Sequence, residues 1–175
     1  GDLDLTVANQ VGNDLSVMFN NGDATFATPP AYPVGEGPND VALGDLDGDG
    51  STDIAVSNRY DWRGRTSVLL NNGDGTYSEQ RSYFTGELNS ISLGDLDGDG
   101  DLDMVGAEVG QYPDYFGHAA VLFNNGNGVF GLQESYATGG VRSECSALDD
   151  LDVDSDLDIA VANYDHDNVS VLLNN

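Results

Sequence analysis

Three segments of the sequence repeat one pattern of alternating aspartates. Residues 45–53 read DLDGDGSTD, residues 95–103 read DLDGDGDLD and residues 150–158 read DLDVDSDLD. Each segment has aspartate at its first, third, fifth and ninth positions and then continues into a short apolar run. Four carboxylates in one short loop repel one another unless a hard cation lies between them, and calcium prefers oxygen ligands. The pattern predicts about three calcium sites.

The aspartates predicted as calcium ligands lie at those four positions of each loop. They are Asp45, Asp47, Asp49 and Asp53 in the first loop, Asp95, Asp97, Asp99 and Asp103 in the second, and Asp150, Asp152, Asp154 and Asp158 in the third.

The ninth-position aspartate also defines a repeat. Asp4, Asp53, Asp103 and Asp158 are spaced by 49, 50 and 55 residues. Periods of this length are typical of propeller blades and other repeat arrays. We therefore interpret the chain as a single repeat array with units at approximately 1–49, 50–99 and 100–154 and a partial unit at 155–175.

Four short strand signals recur in each unit, and no segment shows the apolar spacing of a helix. Strand A precedes the aspartate loop and strand B follows it, at 3–8, 53–57, 103–107 and 158–162. Strand C ends in Asn-Asn, and a weaker strand D is expected at 27–32, 78–83 and 132–136. An aromatic residue follows the Asn-Gly turn between C and D and is expected to anchor neighbouring sheets: Phe26, Tyr77 and Phe130. The sequence predicts an all-β, β-propeller-like array of four-stranded antiparallel blades with the calcium loop between the first two strands.

The aspartate pattern between two short strands, at this period, resembles the FG-GAP or VCBS-type repeats of integrin α-chain-like β-propellers. The resemblance implies that calcium ties strands A and B together at one rim of each blade. It also implies a main-chain carbonyl ligand at the seventh position, from Ser51, Asp101 and Asp156. The third loop departs from the family pattern because Val153 and Ser155 replace glycines that usually serve the sharp turn. An EF-hand is excluded because position 12 of each loop is apolar or glycine instead of glutamate.

Composition limits the range of partners. The formal charge is −26, from 31 acidic residues against 5 arginines and no lysine. Nucleic acid and anionic membrane surfaces are therefore poor partners. Cys145 is the only cysteine, so no internal disulfide forms. No apolar run approaches the roughly 20 residues that span a bilayer, so membrane insertion is not expected.

The loops between strands B and C differ among the repeats and are expected at the rim opposite calcium. They concentrate aromatic, histidine and arginine side chains, which favours a contact surface, although long loops collect such residues in any case. The candidates for a ligand or partner face are Tyr60, Trp62, Arg63, Tyr112, Tyr115, His118, Tyr164 and His166.

The repeat count predicts a first sheet without its strand A and a last sheet without its strand D. Because such sheets expose edges and faces, we expect a longer array or neighbouring chains that cover them, with a filament as one outcome. The first functional hypothesis is an extracellular or cell-surface adhesive module, rigidified by calcium, whose partners are other copies of itself or other extracellular proteins. The alternative is a lectin-like propeller that binds glycans. A lyase or hydrolase is less favoured because no catalytic motif occurs, and no catalytic residue is assigned.

Overall fold

The computed structural model describes residues 2–28, 30–61, 64–110 and 115–175. Within these residues the regular secondary structure consists entirely of β-strands. The strands form four antiparallel sheets that follow one another in chain order. The all-β prediction, with antiparallel sheets of up to four strands and aspartate loops between their first two strands, is confirmed. None of the described residues forms a helix long and apolar enough to span a membrane.

Two complete sheets lie between two three-stranded sheets. The first sheet contains β1 (Leu5–Asn9), β2 (Asp14–Met18) and β3 (Ala31–Pro33). The second contains β4 (Pro38–Gly44), β5 (Asp53–Asn58), β6 (Arg65–Leu69) and β7 (Arg81–Phe84). The third contains β8 (Leu88–Gly94), β9 (Asp103–Glu108), β10 (Phe116–Leu122) and β11 (Glu134–Val141). The fourth contains β12 (Ser143–Asp149), β13 (Asp158–Asn163) and β14 (Asn168–Leu172).

The sheets are stacked face to face, and an apolar cluster fills each junction. Successive side chains of a strand point to opposite faces, so β5 contributes to two clusters. Ile54 packs with Leu15 of the first sheet, whereas Ala55 packs with Met104 of the third. A third cluster joins the third and fourth sheets around Val121 and Val161. The interior strands are therefore buried on both faces, as a repeat array requires.

Contacts between sheets run from each sheet to the next along the chain. Closure of the stack into a ring is not detected among the described residues. The described residues therefore form four stacked sheets, with one outer face on the first sheet and another on the fourth.

Strand D of the first three sheets, which is β3, β7 or β11, begins later than the sequence predicts. Isolated bridges join Asn20 to Phe26, Asn71 to Tyr77 and Asn124 to Phe130 at the points where these strands were expected to start. Regular pairing begins only at Ala31, Arg81 and Glu134. The Asn-Gly turn thus ends in a single bridge that fixes the aromatic residue, and the strand forms after it.

Candidate metal centres

The three aspartate loops connect the first and second strands of the second, third and fourth sheets. They join β4 to β5, β8 to β9 and β12 to β13, and the antiparallel connections place all three at one end of the sheets. We call this end the loop rim and the opposite end the far rim.

The first aspartate of each loop organises the turn around it. Asp45 accepts hydrogen bonds from the main-chain N–H of Gly48 at 2.8 Å and of Gly50 at 2.9 Å, one on each carboxylate oxygen. Asp95 accepts the equivalent pair from Gly98 and Gly100 at 2.8 and 3.0 Å. These bonds hold each loop in a tight turn. The turn brings the carboxylates at the first and third positions of the loop close together.

The third loop forms the same turn without glycine. Asp150 accepts hydrogen bonds from the N–H groups of Val153 at 2.7 Å and Ser155 at 3.1 Å. Val153 has φ of 70° and Ser155 of 86°, against 75° and 86° at Gly48 and Gly50. The third loop therefore keeps the positive φ that glycine favours. At Val153 this backbone conformation is strained, because the residue is β-branched.

The ninth aspartate of each loop is fully buried and bridges two segments of main chain. Asp53 accepts a hydrogen bond from the N–H of Leu46 at 2.8 Å on one oxygen and from that of Asn71 at 2.7 Å on the other. The same two bonds recur at Asp103, with Leu96 and Asn124, and at Asp158, with Leu151 and Asn174. This aspartate joins the loop to the end of the third strand. The sequence signal for this role is the Asn-Asn pair that ends each third strand.

Three groups of carboxylates have ligand atoms that all lie within 4.8 Å of one another: Asp45, Asp47 and Asp53; Asp95, Asp97 and Asp99; Asp150, Asp152 and Asp158. Clustered carboxylate oxygens fit a hard cation such as Ca²⁺, which takes 6–8 oxygen ligands. The three loops therefore could each hold one metal ion. Further ligands remain predictions at Asp49, Asp103 and Asp154 and at the seventh-position carbonyls of Ser51, Asp101 and Asp156.

The electrostatics of the loops favour a bound cation. Burial raises the pKa of Asp53, although the N–H groups of Asn71 and Leu46 lower it, and repulsion from Asp47 raises it further. Asp103 has a raised pKa for the same reasons. The pKa of Asp101 is raised by desolvation and by the neighbouring carboxylates of its loop. A divalent ion would relieve this repulsion and stabilise the ionised forms.

The first repeat retains the structural part of this arrangement. Asp4 accepts a hydrogen bond from the N–H of Asn20 at 2.8 Å, and the Asn20 side chain donates to the carbonyl of Leu3 at 3.0 Å. These contacts match those of Asp53 and Asn71 one repeat later. In every sheet the ninth-position aspartate thus accepts a hydrogen bond from the main chain just beyond strand C, which is β2, β6, β10 or β14.

Comparison with known families agrees with this geometry. The family model for the FG-GAP-like repeat matches residues 1–56 and, in a second copy, residues 45–106. The chain belongs to the FG-GAP-like repeat family. No curated protein sequence matches the chain. The two FG-GAP-like matches include the loops at 45–53 and 95–103, and the loop at 150–158 is assigned from its equivalent hydrogen bonds and aspartate cluster.

The candidate partner residues that the structure describes lie in or beside the connections at the far rim of this FG-GAP-like array. Tyr60 and Tyr164 are well exposed, Tyr115 and His166 are exposed, and His118 is partly buried within β10. Trp62, Arg63 and Tyr112 lie outside the described residues. A shallow concavity at this rim includes Tyr164 but none of the other candidates. The structure therefore does not bring the described candidates into one pocket.

Proposed function

We propose that this FG-GAP-like chain is an extracellular, calcium-stabilised structural or adhesive module that associates with other copies of itself or with other extracellular proteins. The proposed role is binding and assembly, without catalysis. The observation that carries the proposal is the apolar outer face of the fourth sheet.

This face is formed by positions that are buried in the interior repeats. Val169 and Val171 of β14 are 64% and 50% exposed. The residues at the same places in β10, Ala119 and Val121, are 0% and 2% exposed because the fourth sheet covers them. An exposed apolar face of this kind on a repeat array is an interaction surface or a site for stacking of another sheet.

Calcium supports this role by fixing the loops that join the first two strands. External calcium modules bind with dissociation constants of about 0.1–1 mM. At millimolar calcium each site would then stabilise the fold by about 0.4–1.4 kcal/mol. Such sites are filled outside the cell and largely empty in cytosol, which supports an extracellular location.

The first test is thermal unfolding in 2 mM calcium and in excess EDTA. The melting temperature is expected to fall on the order of 10 °C in EDTA, from the summed contribution of three sites. Barium or magnesium in place of calcium serves as the control for ionic strength. An unchanged melting temperature in EDTA would exclude a structural role for calcium.

The second test is the assembly state with and without calcium. Light scattering and electron microscopy are expected to show assemblies whose abundance falls when Val169 and Val171 are both replaced by Asp. A matched substitution at the far rim, Val11→Asp, is expected to leave assembly unchanged, because Val11 is 98% exposed in the connection between β1 and β2. Strictly monomeric particles under all conditions would contradict self-association.

Glycan binding is the second candidate. It is favoured by two exposed tyrosine rings beside aspartates: Tyr60 next to Asp61, and Tyr164 next to Asp165. Aromatic rings stack on sugar faces and carboxylates accept hydrogen bonds from hydroxyls, but the same pairs also occur in protein interfaces. A glycan array should separate the two candidates. Binding that is lost in Tyr60→Ala or Tyr164→Ala supports a lectin, and no binding to any glycan leaves the assembly role.

A further inference from the structure

Four asparagine–glycine pairs lie in the turns between strands C and D. They are Asn21-Gly22, Asn72-Gly73, Asn125-Gly126 and Asn127-Gly128. In such a pair the main-chain nitrogen of glycine can attack the side-chain carbonyl carbon of asparagine, because glycine has no Cβ to hinder the approach. The attack expels ammonia and begins the reaction known as deamidation. The nitrogen must first lose its proton, so a hydrogen bond from the glycine N–H to another acceptor protects the pair.

In three of the four pairs the glycine N–H is occupied. Gly22 and Gly73 each donate to Oδ1 of the asparagine two residues earlier, at 2.9 Å. Gly128 donates to the carbonyl of Leu46 at 2.8 Å. Each of these bonds must break before the nitrogen can react, so deamidation is expected to be slow at these three pairs.

A threonine also holds the asparagine side chain in the first two turns. Nδ2 of Asn21 donates to Oγ1 of Thr25 at 2.9 Å. Nδ2 of Asn72 donates in the same way to Oγ1 of Thr76, also at 2.9 Å. This bond restrains the rotation that would bring the side-chain carbonyl to the glycine nitrogen. Both reacting groups are therefore held in these two turns.

The pair Asn125-Gly126 has neither protection. Val129 stands where the first two turns have threonine, and valine offers no hydroxyl to the side chain of Asn125. Within the described part of the chain, neither Nδ2 of Asn125 nor the N–H of Gly126 has a hydrogen-bond acceptor. Asn125 is also exposed to the solvent that must remove the proton.

The contact between sheets explains why Gly126 differs from Gly22 and Gly73. The amide of Asn124 donates across the junction to the Leu46 carbonyl, and its Oδ1 accepts the N–H of Asn125 instead of that of Gly126. Oδ1 of Asn125 in turn accepts the N–H of the next asparagine at 3.3 Å. This bond draws electrons from the carbonyl carbon and favours attack on it.

We propose that Asn125 is the site at which the folded chain deamidates, a modification that does not depend on the proposed assembly role. The Gly126 nitrogen gives its proton to hydroxide and bonds to Cγ of Asn125. The Cγ–Nδ2 bond breaks, and the amide group leaves as ammonia after it takes a proton from water. One water molecule then opens the cyclic succinimide, at Cγ to give aspartate or at the main-chain carbonyl to give isoaspartate. Overall, the amide and one water become ammonia and a carboxylic acid, which is ionised at neutral pH.

The turn that contains Asn125 carries hydrogen bonds of the junction between the second and third sheets. Arg81 and Tyr83 of the second sheet each donate to the carbonyl of Gly128 at 3.1 Å. The N–H of Gly128 is bonded to Leu46, which lies in the aspartate loop of the second sheet. A change in the main chain at Asn125 is therefore transmitted to the contacts between these sheets.

Isoaspartate lengthens the main chain of this turn by one atom, because the chain then runs through Cβ and Cγ. The turn has little room for the change, since a Cβ at Gly126 would already overlap the carboxylate of Asp101. The isoaspartate form is expected to lose the bonds of Gly128 and to melt at a lower temperature. The aspartate form adds the charge without the extra atom and should keep these bonds.

The test is peptide mapping by mass spectrometry of the full chain, incubated at mildly alkaline pH in millimolar calcium. Deamidation at Asn125 is expected to be at least about ten-fold faster than at Asn21, Asn72 or Asn127. A ten-fold ratio corresponds to about 1.4 kcal/mol of barrier, which is the scale of one or two hydrogen bonds. The same chain unfolded in urea is the control, and there the four rates should converge because the pairs are identical in sequence.

A variant tests whether the hydrogen bond to the glycine N–H protects. Asn71→Ala removes the acceptor of Gly73 and is expected to speed deamidation at Asn72 about ten-fold. Asn39→Ala, in β4 and outside these turns, is the matched control and should leave that rate unchanged. Circular dichroism establishes that both variants are folded.

Equal rates at the four pairs of the folded chain would overturn the proposal, as would a faster reaction at Asn21, Asn72 or Asn127. A preference for Asn125 that persists in urea, or an unchanged rate at Asn72 in Asn71→Ala, would show that the fold does not control the reaction. Ion exchange separates the modified chain by its added charge. An isoaspartate form that melts with the unmodified chain and with Asn125→Asp would contradict the effect on the junction.

Discussion

The side-chain amide of Asn124 donates a hydrogen bond to the main-chain carbonyl of Leu46 across the junction between the second and third sheets. It also donates to Leu102 within its own sheet, at 3.2 Å. Because Leu46 lies in the aspartate loop of the preceding repeat, this bond fixes one metal loop to the strand end of the next sheet. Buried polar side-chain groups are nearly always hydrogen-bonded, and this amide has an acceptor on each side of the junction.

Asn124→Ala is expected to lower the free energy of unfolding by about 1–3 kcal/mol, because it removes the buried amide bonds to Leu46 and Leu102 and leaves the Leu46 carbonyl with only the N–H of Gly128, at 2.8 Å. Asn71→Ala is the matched control, since the Asn71 side-chain amide donates to Thr52 within its own repeat at 3.1 Å in an exposed setting. Urea denaturation in saturating calcium measures both. Equal losses for the two variants would show that the bond across the junction adds nothing.

Aspartates at the third and ninth positions of a loop should respond differently to removal of metal. Asp47→Asn is expected to lower stability in calcium but to have little effect in EDTA, because its main role is to bind the ion. Asp53→Asn should cost about 1–3 kcal/mol in both conditions, since an amide NH₂ would face one of the two N–H donors that the carboxylate now accepts. Calorimetry of both variants in calcium and in EDTA tests this, and identical profiles would contradict the bridging role of Asp53.

The strained turn of the third loop should be improved by glycine. Val153 is 87% exposed and has a positive φ, so Val153→Gly removes strain without loss of burial. After the added entropy of the unfolded chain is subtracted, a net gain of about 1 kcal/mol is expected. The reverse change at the equivalent place, Gly48→Val, should lower stability and calcium affinity. Denaturation and calcium titration of the two variants measure this, and a loss of stability in Val153→Gly would refute the assignment of strain.

The spacing of the aspartates predicted the position of the loops, and the four short apolar runs that recur in each repeat predicted the strands. Asp45 and Asp53 are only eight residues apart, so the local sequence pattern alone predicts both the loop and the strand after it. The prediction for the aromatic residues also came from a local pattern, and Tyr77 and Phe130 do lie between sheets. Each pattern occurs three times in the sequence, so each copy supports the interpretation of the others.

The hydrogen bonds between sheets could not be predicted from the sequence. Asn124 and Leu46 are 78 residues apart, and no local pattern connects them. The Asn-Asn pairs were interpreted as turn residues, although the N–H of the first asparagine of each pair binds a ninth-position aspartate. The side-chain amides of Asn124 and Asn174 also cross the junctions between sheets. The replacement of two glycines by Val153 and Ser155 left the geometry of the third loop open at the level of sequence, and the bonds of Asp150 hold Val153 in the same geometry as Gly48. In these cases packing and hydrogen bonds override local preference.

Glu108 is a partly buried carboxyl where the other repeats have asparagine. Asn9, Asn58 and Asn163 occupy the equivalent places, and each donates its side-chain amide to a nearby serine. Glu108 accepts a hydrogen bond from Gln133 at 3.0 Å and pairs across the sheet with His118. Burial raises the pKa of Glu108 above its ordinary value of 4.5, although His118 and Gln133 lower it.

The pKa of Glu108 is higher in the folded chain than in the unfolded chain. The free energy of unfolding therefore falls as the pH rises from the unfolded-state pKa through the folded-state pKa. Glu108→Gln is therefore expected to stabilise the chain at pH 8, and its advantage should disappear as the pH approaches 4. Glu87→Gln, at an exposed site, controls for the removal of one negative charge from a highly acidic chain. Stability is measured by urea denaturation across this pH range in saturating calcium. A pH-independent difference between the two variants would contradict the effect of burial.

The regular contact between each sheet and the next also affects how the gene can change in length. The bond from Asn124 to Leu46 and that from Asn174 to Leu96 both span 78 residues, so successive junctions are close to copies of one another. Deletion of one whole period would bring together faces that already match, whereas deletion of half a period would not. Recombination within such a gene should therefore yield a folded protein only when it adds or removes whole repeats. The length of the array can then change without a new type of interface between sheets.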